Sequence, residues 1–144
     1  MYEKEKAKEL LEKAVVIHQK TFGEDQAYVA TSYYNLASVY DSLGEYNQAK
    51  DLHEKALVIR KKIFGEDHAS VATSYYNLAS VYCRLGEYNQ AKELLEKELR
   101  ISEKIFDEDH CYVERVRNDL ALLSHYQRVG RCRDRCEEAR CLVL

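Results

Sequence analysis

Residues Val29–Tyr40 read V-A-T-S-Y-Y-N-L-A-S-V-Y, and residues Val71–Tyr82 repeat this stretch without a change. The likeness extends on both sides: residues 23–64 and 65–106 align without a gap and are identical at 32 of 42 positions. A fixed period of this size is typical of stacked repeat arrays, in which each unit buries its apolar face against its neighbours. In such an array we expect function on an extended surface rather than in a pocket of convergent catalytic groups.

Both halves of each repeat have the apolar spacing of an amphipathic helix. In the first half the apolar stripe consists of Val71, Tyr75, Leu78, Tyr82 and Leu85. In the second half it consists of Ala49, Leu52, Ala56, Ile59 and Ile63. The chain has no Pro and only 5 Gly, which favours long helices because both residues destabilise a helix interior. We call the first helix of each repeat the A helix and the second the B helix.

The spacing predicts a single all-α array over residues 1–144, with about seven helices. These cover residues 3–22, 27–43, 46–63, 69–85, 88–105, 111–128 and 131–142. The first is a B helix without its A helix, and residues 23–64 and 65–106 are complete repeats. Residues 107–142 form a degenerate third repeat or C-terminal cap.

The turns between these helices have recognisable end signals. Gly44 and Gly86 follow the A helices at positions where a helix end favours positive φ. Asp25 and Asp67 are predicted N-caps of the next A helices, because a carboxylate accepts hydrogen bonds from free backbone N–H groups. The short turn after each A helix predicts that the B helix runs antiparallel to it.

This helix-pair pattern resembles the tetratricopeptide repeat. The matching residues of the first repeat are Tyr33, Leu36, Ala37, Tyr40, Gly44, Tyr46, Ala49 and Ala56. Those of the second are Tyr75, Leu78, Ala79, Tyr82, Gly86, Tyr88 and Ala91, whereas Glu98 replaces a small residue. The period of 42 residues is similar to the kinesin light chain type of repeat, also found in nephrocystin-3-like proteins. The resemblance implies a right-handed α-solenoid of antiparallel helix pairs, with the A helices lining its concave side.

The residues opposite the core stripe of the A helices are the predicted peptide-binding face. They are Thr31, Tyr34, Asn35, Ser38, Asp41, Thr73, Tyr76, Asn77, Ser80, Cys83 and Asn118. Tyrosine supplies rigid contact area and asparagine pairs with peptide backbone. Their recurrence predicts a groove that offers the same chemistry twice. The alternative for Asn35 and Asn77 is that they only tie neighbouring repeats together.

No arrangement of residues predicts catalysis. Glu93, Glu96 and Glu98 are expected on the solvated faces of B helices, where lysines such as Lys97 pair with them. The sequence has no nucleophile–base pattern and no glycine-rich phosphate loop. We therefore expect no enzymatic activity and no cofactor.

The histidines and cysteines do not predict a metal site. Gln26, His53, His68 and His110 are the candidate ligands, but turns one repeat apart cannot share an ion with bonds near 2 Å. We expect His68 and His110 to be loop or cap residues. Cys132, Cys136 and Cys141 lack zinc-finger spacing and are interpreted as accessible thiols.

Charge and hydropathy exclude several partners. The net charge is -3, and the arginine run over residues 128–135 lacks interleaved aromatics, so nucleic acid is not expected. No apolar run approaches the roughly 20 residues of a membrane span, and no secretory segment opens the chain. The sequence predicts a cytoplasmic protein without membrane contact.

The sequence thus predicts a scaffold that binds an extended peptide or partner-protein segment, with a cargo-adaptor-like role if the resemblance extends to function. One alternative is a self-associating module, because the opening B helix leaves an apolar face for another copy. The other is a repeat fragment of a larger signalling protein.

Overall fold

The computed structural model describes the backbone of residues 1–107 and 110–141, and the side chains of residues 1–107 and 110–128. Within these ranges the chain forms six helices and no strand. They are α1 (Tyr2–Phe22), α2 (Ala27–Ser42), α3 (Tyr46–Phe64), α4 (Ala69–Arg84), α5 (Tyr88–Ile105) and α6 (Cys111–Cys141). The all-α solenoid predicted from the period is confirmed.

Each helix packs on the helix before it and the helix after it in the chain. The A helices are α2, α4 and α6, and the B helices are α1, α3 and α5. The most extensive contacts lie within the two complete repeats, between α2 and α3 and between α4 and α5. The short turns explain these contacts, because a turn of three residues places the B helix antiparallel to its own A helix and against it.

The apolar core is divided along the stack. One cluster joins α1, α2 and α3 through Val15, Leu36 and Ile59, and the next joins α3, α4 and α5 through residues such as Leu57 and Leu78. A third cluster joins α4, α5 and α6. Helices α2 and α4 are therefore each buried between two B helices, as the two stripes of apolar residues predicted.

The turns that follow helices α2 and α4 each contain a glycine with positive φ. Gly44 and Gly86 have φ of 80° and 77°, a backbone conformation that disfavours side chains with a Cβ. The residue after each glycine donates its N–H back to the carbonyl of Tyr40 or Tyr82. These bonds close the turn and start the B helix within two residues.

The predicted N-caps at Asp25 and Asp67 are wrong. The A helices begin at Ala27 and Ala69, as predicted, so that the residues directly before them, Gln26 and His68, take the N-cap positions. The two aspartates instead form ion pairs with the following B helix, at 3.1 Å from Asp25 to Lys62 and 2.8 Å from Asp67 to Lys104. A lysine at matching positions of both B helices draws each carboxylate away from the helix start.

The last two predicted helices are joined into one. Helix α6 is continuous over 31 residues and passes through Gly130, so the described chain has six helices, close to the predicted seven. A single glycine costs a helix only about 1 kcal/mol, which is too little to end it when no proline or turn motif follows.

Candidate functional site

The eleven predicted binding residues lie along the A helices α2, α4 and α6. Six are exposed: Thr31, Asn35, Ser38, Thr73, Ser80 and Asn118. Five are partly buried: Tyr34, Asp41, Tyr76, Asn77 and Cys83. The surface between successive A helices is called the A-helix groove below. Its first step lies between α2 and α4, and its second step lies between α4 and α6.

Tyr34 is held by the B helix of its own repeat. The His53 ring lies edge-on to it at 5.8 Å between centroids, and the Arg60 guanidinium lies 5.1 Å from the Tyr34 centroid. Arg60 also donates to the Ser74 hydroxyl at 2.7 Å. Tyr34 therefore contacts a polar chain that links α3 to α4.

Tyr76, at the matching position of the second repeat, contacts α6 instead. Its hydroxyl donates to the Asp119 carboxylate at 3.2 Å, and the Arg115 guanidinium lies 5.0 Å from its ring centroid. Burial raises the pKa of the Tyr76 hydroxyl, and the charge of Asp119 adds to the effect. The two repeated tyrosines thus have different environments despite identical flanking sequence.

The first step of the groove is crossed by an ion pair. Arg84 Nε lies 3.4 Å from Asp41 Oδ1, and the Arg84 guanidinium lies 5.6 Å from the Tyr46 ring centroid. Tyr46 opens α3, so Arg84 contacts both helices of the first repeat. This step therefore presents charged groups and a covered tyrosine.

The second step is an open apolar cavity of about 440 Å³. Its walls come from α4, α5 and α6, and they are Tyr76, Ala79, Ser80, Cys83, Arg84, Tyr88, Leu95, Asp119, Leu122, Leu123 and Tyr126. Leu122 and Tyr126 are 54% and 59% exposed, so both present apolar surface at the mouth of the cavity. Two charged residues, Arg84 and Asp119, are the only ionised side chains among these walls.

The difference between the steps follows from the sequence of α6, which shares few residues with α2 and α4. Cys83 stands where the first repeat has Asp41, and Tyr126 stands where the second repeat has Arg84. The ion pair of the first step therefore has no counterpart among the walls of the second, and apolar surface takes its place. The expectation that the groove offers the same chemistry twice does not match this geometry.

The sequence predicted Glu98 on a solvated face, but the structure buries this residue. It is 0% exposed, because it occupies the position of Ala56, which faces the neighbouring helices. The Ser102 hydroxyl donates to Glu98 Oε1 at 2.7 Å, whereas Oε2 has no hydrogen-bond partner among the described residues. Burial raises the pKa of the Glu98 carboxyl, and the Ser102 hydrogen bond offsets this only in part.

The polar cluster around Glu98 continues onto α6. Burial and the charge of Glu98 raise the pKa of Tyr112 to about 12. Arg115 lies 4.7 Å from the Tyr112 ring centroid as well as over Tyr76. The cluster borders the second step and fixes α6 against α4 and α5.

The loop histidines are cap residues, as predicted. His68 Nδ1 accepts the Ser70 N–H at 3.1 Å, and the imidazole stacks on Phe64 at 4.4 Å. His110 accepts the Tyr112 N–H at 3.3 Å in the same way. Among the described residues no group of three His, Cys, Asp or Glu side chains could hold a metal ion.

His53, unlike the loop histidines, is buried within helix α3. It is 4% exposed, and burial lowers the pKa of its imidazole to about 4, with the charge of Arg60 adding to the effect.

The side chains of Cys132, Cys136 and Cys141 lie outside the described residues. Cys111 is exposed and Cys83 is partly buried.

Sequence reasoning missed most of the cavity walls. It named Tyr76, Ser80 and Cys83, but not Tyr88, Leu122 or Tyr126. A signal was present, because Leu122 and Tyr126 are large side chains at positions where the preceding repeat has a serine and an arginine. The two steps of the groove therefore differ in chemistry where the repeats differ in sequence.

A comparison with protein families decides which repeat this is. The tetratricopeptide repeat profile matches residues 4–62, 43–104 and 70–141. The chain belongs to the tetratricopeptide repeat family. The fold of this family serves as a non-catalytic scaffold for protein partners. No curated protein sequence matches the chain.

Solved structures place the tetratricopeptide array beside kinesin light chain-like proteins. A kinesin light chain candidate from Podosopora anserina, with nearly identical TPR-like repeats, superposes with a TM-score of 0.78 at 30% identity. A point variant of the same protein gives the same TM-score of 0.78 at 29% identity. In both cases 91% of this chain and 61% of the other are covered.

The fold is shared by a third structure, BtubC (BKLC) from P. vanneervenii, with a TM-score of 0.78 at 24% identity. The alignment covers 98% of this chain and 58% of BtubC. The tetratricopeptide array thus spans about three fifths of the length of these structures. Among the described residues, no helix is both long enough and apolar enough to cross a membrane.

Proposed function

We propose that the chain is a non-catalytic scaffold that binds an extended segment of a partner protein along the A-helix groove. The observation that carries this proposal is the open cavity of the second step, of about 440 Å³. Apolar grooves with polar groups at their edges are typical binding sites for a partner. The cavity seats a large apolar side chain of the partner, and it supplies most of the binding energy through buried apolar area.

Polar groups beside the cavity orient the partner backbone. Asn77 is partly buried and its side-chain nitrogen has no hydrogen-bond partner among the described residues. We infer that the Asn77 side chain turns towards the groove when a partner binds, because a buried N–H that lacks an acceptor costs about 1–3 kcal/mol and a backbone carbonyl of the partner relieves that cost. Ser80 is exposed on the same helix and adds a second polar contact.

The first step supports a different contact. The Asp41–Arg84 ion pair crosses it, so a partner side chain there meets charge rather than apolar surface. We infer that the partner segment binds in one orientation, with its apolar side chain in the second step of the groove, next to α6. A cargo-adaptor role is the finer form of this proposal, and it rests on the likeness to the Podosopora anserina kinesin light chain candidate.

A displayed library of random peptides, selected on the intact chain, tests the proposal. Affinities of selected peptides are measured by fluorescence polarisation against Tyr126→Ala, Leu122→Asp and Asn77→Ala. We expect each of the first two variants to weaken binding at least about tenfold, because a buried hot-spot contact contributes about 2 kcal/mol or more.

Tyr28→Ala is the matched control, because Tyr28 is 66% exposed and does not line the cavity. It removes a similar tyrosine and should leave affinity unchanged. Peptides that bind equally well to Tyr126→Ala and Leu122→Asp would show that the groove is not the binding surface.

A further inference from the structure

A second open cavity, of about 560 Å³, lies between the B helices α1 and α3 and shares no residue with the A-helix groove. We call it the B-helix cavity. Tyr33 of α2 and Ile59 of α3 form its floor and are 7% and 5% exposed. Val58, also in its wall, is 54% exposed. The B-helix cavity therefore offers apolar surface on which the aliphatic part of a partner's side chain can lie.

The polar walls of the B-helix cavity are mostly acidic. They are Gln19, Glu24, Asp25, Asp51, Glu54 and Lys55. Four carboxylates thus accompany a single ammonium group, and Lys55 lies 5.8 Å from the Tyr33 ring centroid. The walls carry a clear excess of negative charge around the apolar floor.

Two of the four carboxylates have partners within the chain. Lys62 pairs with Asp25 at 3.1 Å, and a tyrosine hydroxyl of α4 donates to Glu54 at 2.9 Å. Glu24 and Asp51 form no ion pair within the part of the chain that the structure describes. These two carboxylates are exposed and remain open to a cation from outside.

The second repeat shows which group satisfies such a site. Lys61 stands 42 positions after Gln19, and its ammonium lies 2.6 Å from the Glu66 carboxylate. The same ammonium lies 5.7 Å from the Tyr75 ring centroid. Hydrogen bonds to Glu66 and then to Tyr75 raise the pKa of Lys61. A cation between a carboxylate and a tyrosine ring is therefore the arrangement that the repeat itself uses at this position.

The first repeat keeps the carboxylate and the tyrosine but lacks the cation. Gln19 donates to the Tyr33 hydroxyl at 2.7 Å. Burial raises the pKa of Tyr33, and the charge of Glu24 adds to the effect. Val58 stands where the second repeat has Arg100. Beside four carboxylates, the walls of the B-helix cavity have one cation, whereas the equivalent positions of the second repeat have three.

We propose that the B-helix cavity binds a basic segment of a partner protein through one arginine or lysine side chain. The aliphatic stem of this side chain covers Val58, and its cation meets the Glu24 carboxylate beside Tyr33, as Lys61 meets Glu66 beside Tyr75. Charge complementarity selects this occupant, since the second repeat supplies the same group from its own helix. The proposal is independent of the function proposed for the A-helix groove.

A pair of peptides that differ only in charge tests the proposal. The isotope-labelled chain is titrated with acetyl-Ala-Ala-Arg-Ala-Ala-amide and with the same peptide carrying citrulline, the uncharged analogue of arginine. We expect the arginine peptide to shift the backbone amide signals of Glu24, Asp51 and Val58 in NMR spectra. The citrulline peptide should bind at least about fivefold more weakly, because it brings no charge to the carboxylates.

The second repeat supplies the decisive variant. Gln19→Lys introduces the residue found at Lys61, which fills the site from within, and should weaken binding of the arginine peptide at least about fivefold. Glu24→Gln should weaken it to a similar extent. Thr21→Lys is the matched control, because it adds the same charge to α1 at an exposed position outside the cavity walls. It should change the affinity less than about twofold.

Three results would overturn the proposal. The first is equal affinity for the arginine and citrulline peptides, and the second is unchanged affinity in Gln19→Lys chains that keep their helix content by circular dichroism. The third is a dimer of the chain alone that dissociates on Glu24→Gln, which would make a second copy the occupant. Tyr126→Ala should leave the arginine peptide bound as before, so the outcome is separate from that of the A-helix groove.

Discussion

Arg84 Nε lies 3.4 Å from Asp41 Oδ1 and joins the A helices of the two complete repeats. Asp41 is the less exposed partner, at 25% of its side chain against 49% for Arg84. The second step of the groove has Cys83 of α4 and Tyr126 of α6 at the corresponding positions, so that this step is apolar. The replacement of this ion pair by Cys83 and Tyr126 is therefore one of the sequence differences that distinguish the two steps.

Removal of Arg84 should destabilise the array more than removal of its partner. We expect Arg84→Ala to lower the free energy of unfolding by about 1 kcal/mol, because it leaves a half-buried carboxylate without its cation. Asp41→Cys should cost less, since it introduces the residue of the second repeat and leaves no buried charge behind. Urea unfolding measures both, with Lys13→Ala in the exposed Lys13–Glu9 pair as the control. Equal effects of all three variants would contradict the role of this pair.

Glu98 should make the array less stable as pH rises. Its folded pKa is raised by burial, so the native state holds the proton more tightly than the unfolded state. Its contribution is therefore fully present below the unfolded pKa of 4.5 and is lost as pH rises through the folded pKa. We expect Glu98→Gln to be more stable than the original at pH 8, by about 1 kcal/mol or more because of the unpaired oxygen.

The advantage of Glu98→Gln should shrink towards pH 4.5. Glu96→Gln is the matched control, because Glu96 is exposed and pairs with Lys92 on its own helix. Chemical unfolding at pH 4.5, 6 and 8 gives the three free energies. A Glu98→Gln variant that is equally destabilised at all three values would show that the carboxylate is needed for packing alone.

His53 should make the array less stable as pH falls. Its folded pKa of about 4 lies below the ordinary value of 6.5, so the unfolded state takes up the proton first. Its contribution is complete above pH 6.5 and is lost as pH falls towards 4, by up to about 3 kcal/mol. His53→Leu, which introduces the residue found at Leu95, should remove this loss. Unfolding at pH 5 and 7.5 checks it, with the exposed His125→Gln as control.

Cys83 should react more slowly than Cys111 with iodoacetamide. Burial raises the pKa of the Cys83 thiol, and the charge of Asp119 adds to the effect, so less thiolate is available. In variants that keep one cysteine each and carry Ser at the others, we expect at least a roughly tenfold difference in rate at pH 8. A peptide bound in the second step should slow Cys83 further and leave Cys111 unchanged. Equal rates for the two thiols would contradict the enclosure of Cys83 in the cavity wall.

The sequence by itself determined the elements and their order. The period of 42 residues, the two apolar stripes and glycines such as Gly44 and Gly86 depend on spacing along the chain. Such local signals are sufficient because every repeat contacts only its neighbours. They also identified the loop histidines as caps, since His68 acts within two residues of its own position.

Only the tertiary structure decided which side chains are buried and which remain open. Glu98 lies in an interface because α6 covers it, and the cavity exists because Leu122 and Tyr126 of α6 meet Cys83 of α4 without an ion pair between them. These outcomes depend on contacts between helices that lie about forty residues apart, where a repeated pattern predicts equal environments. The environments differ because each step of the stack joins residues from two repeats, and the last repeat is not like the others.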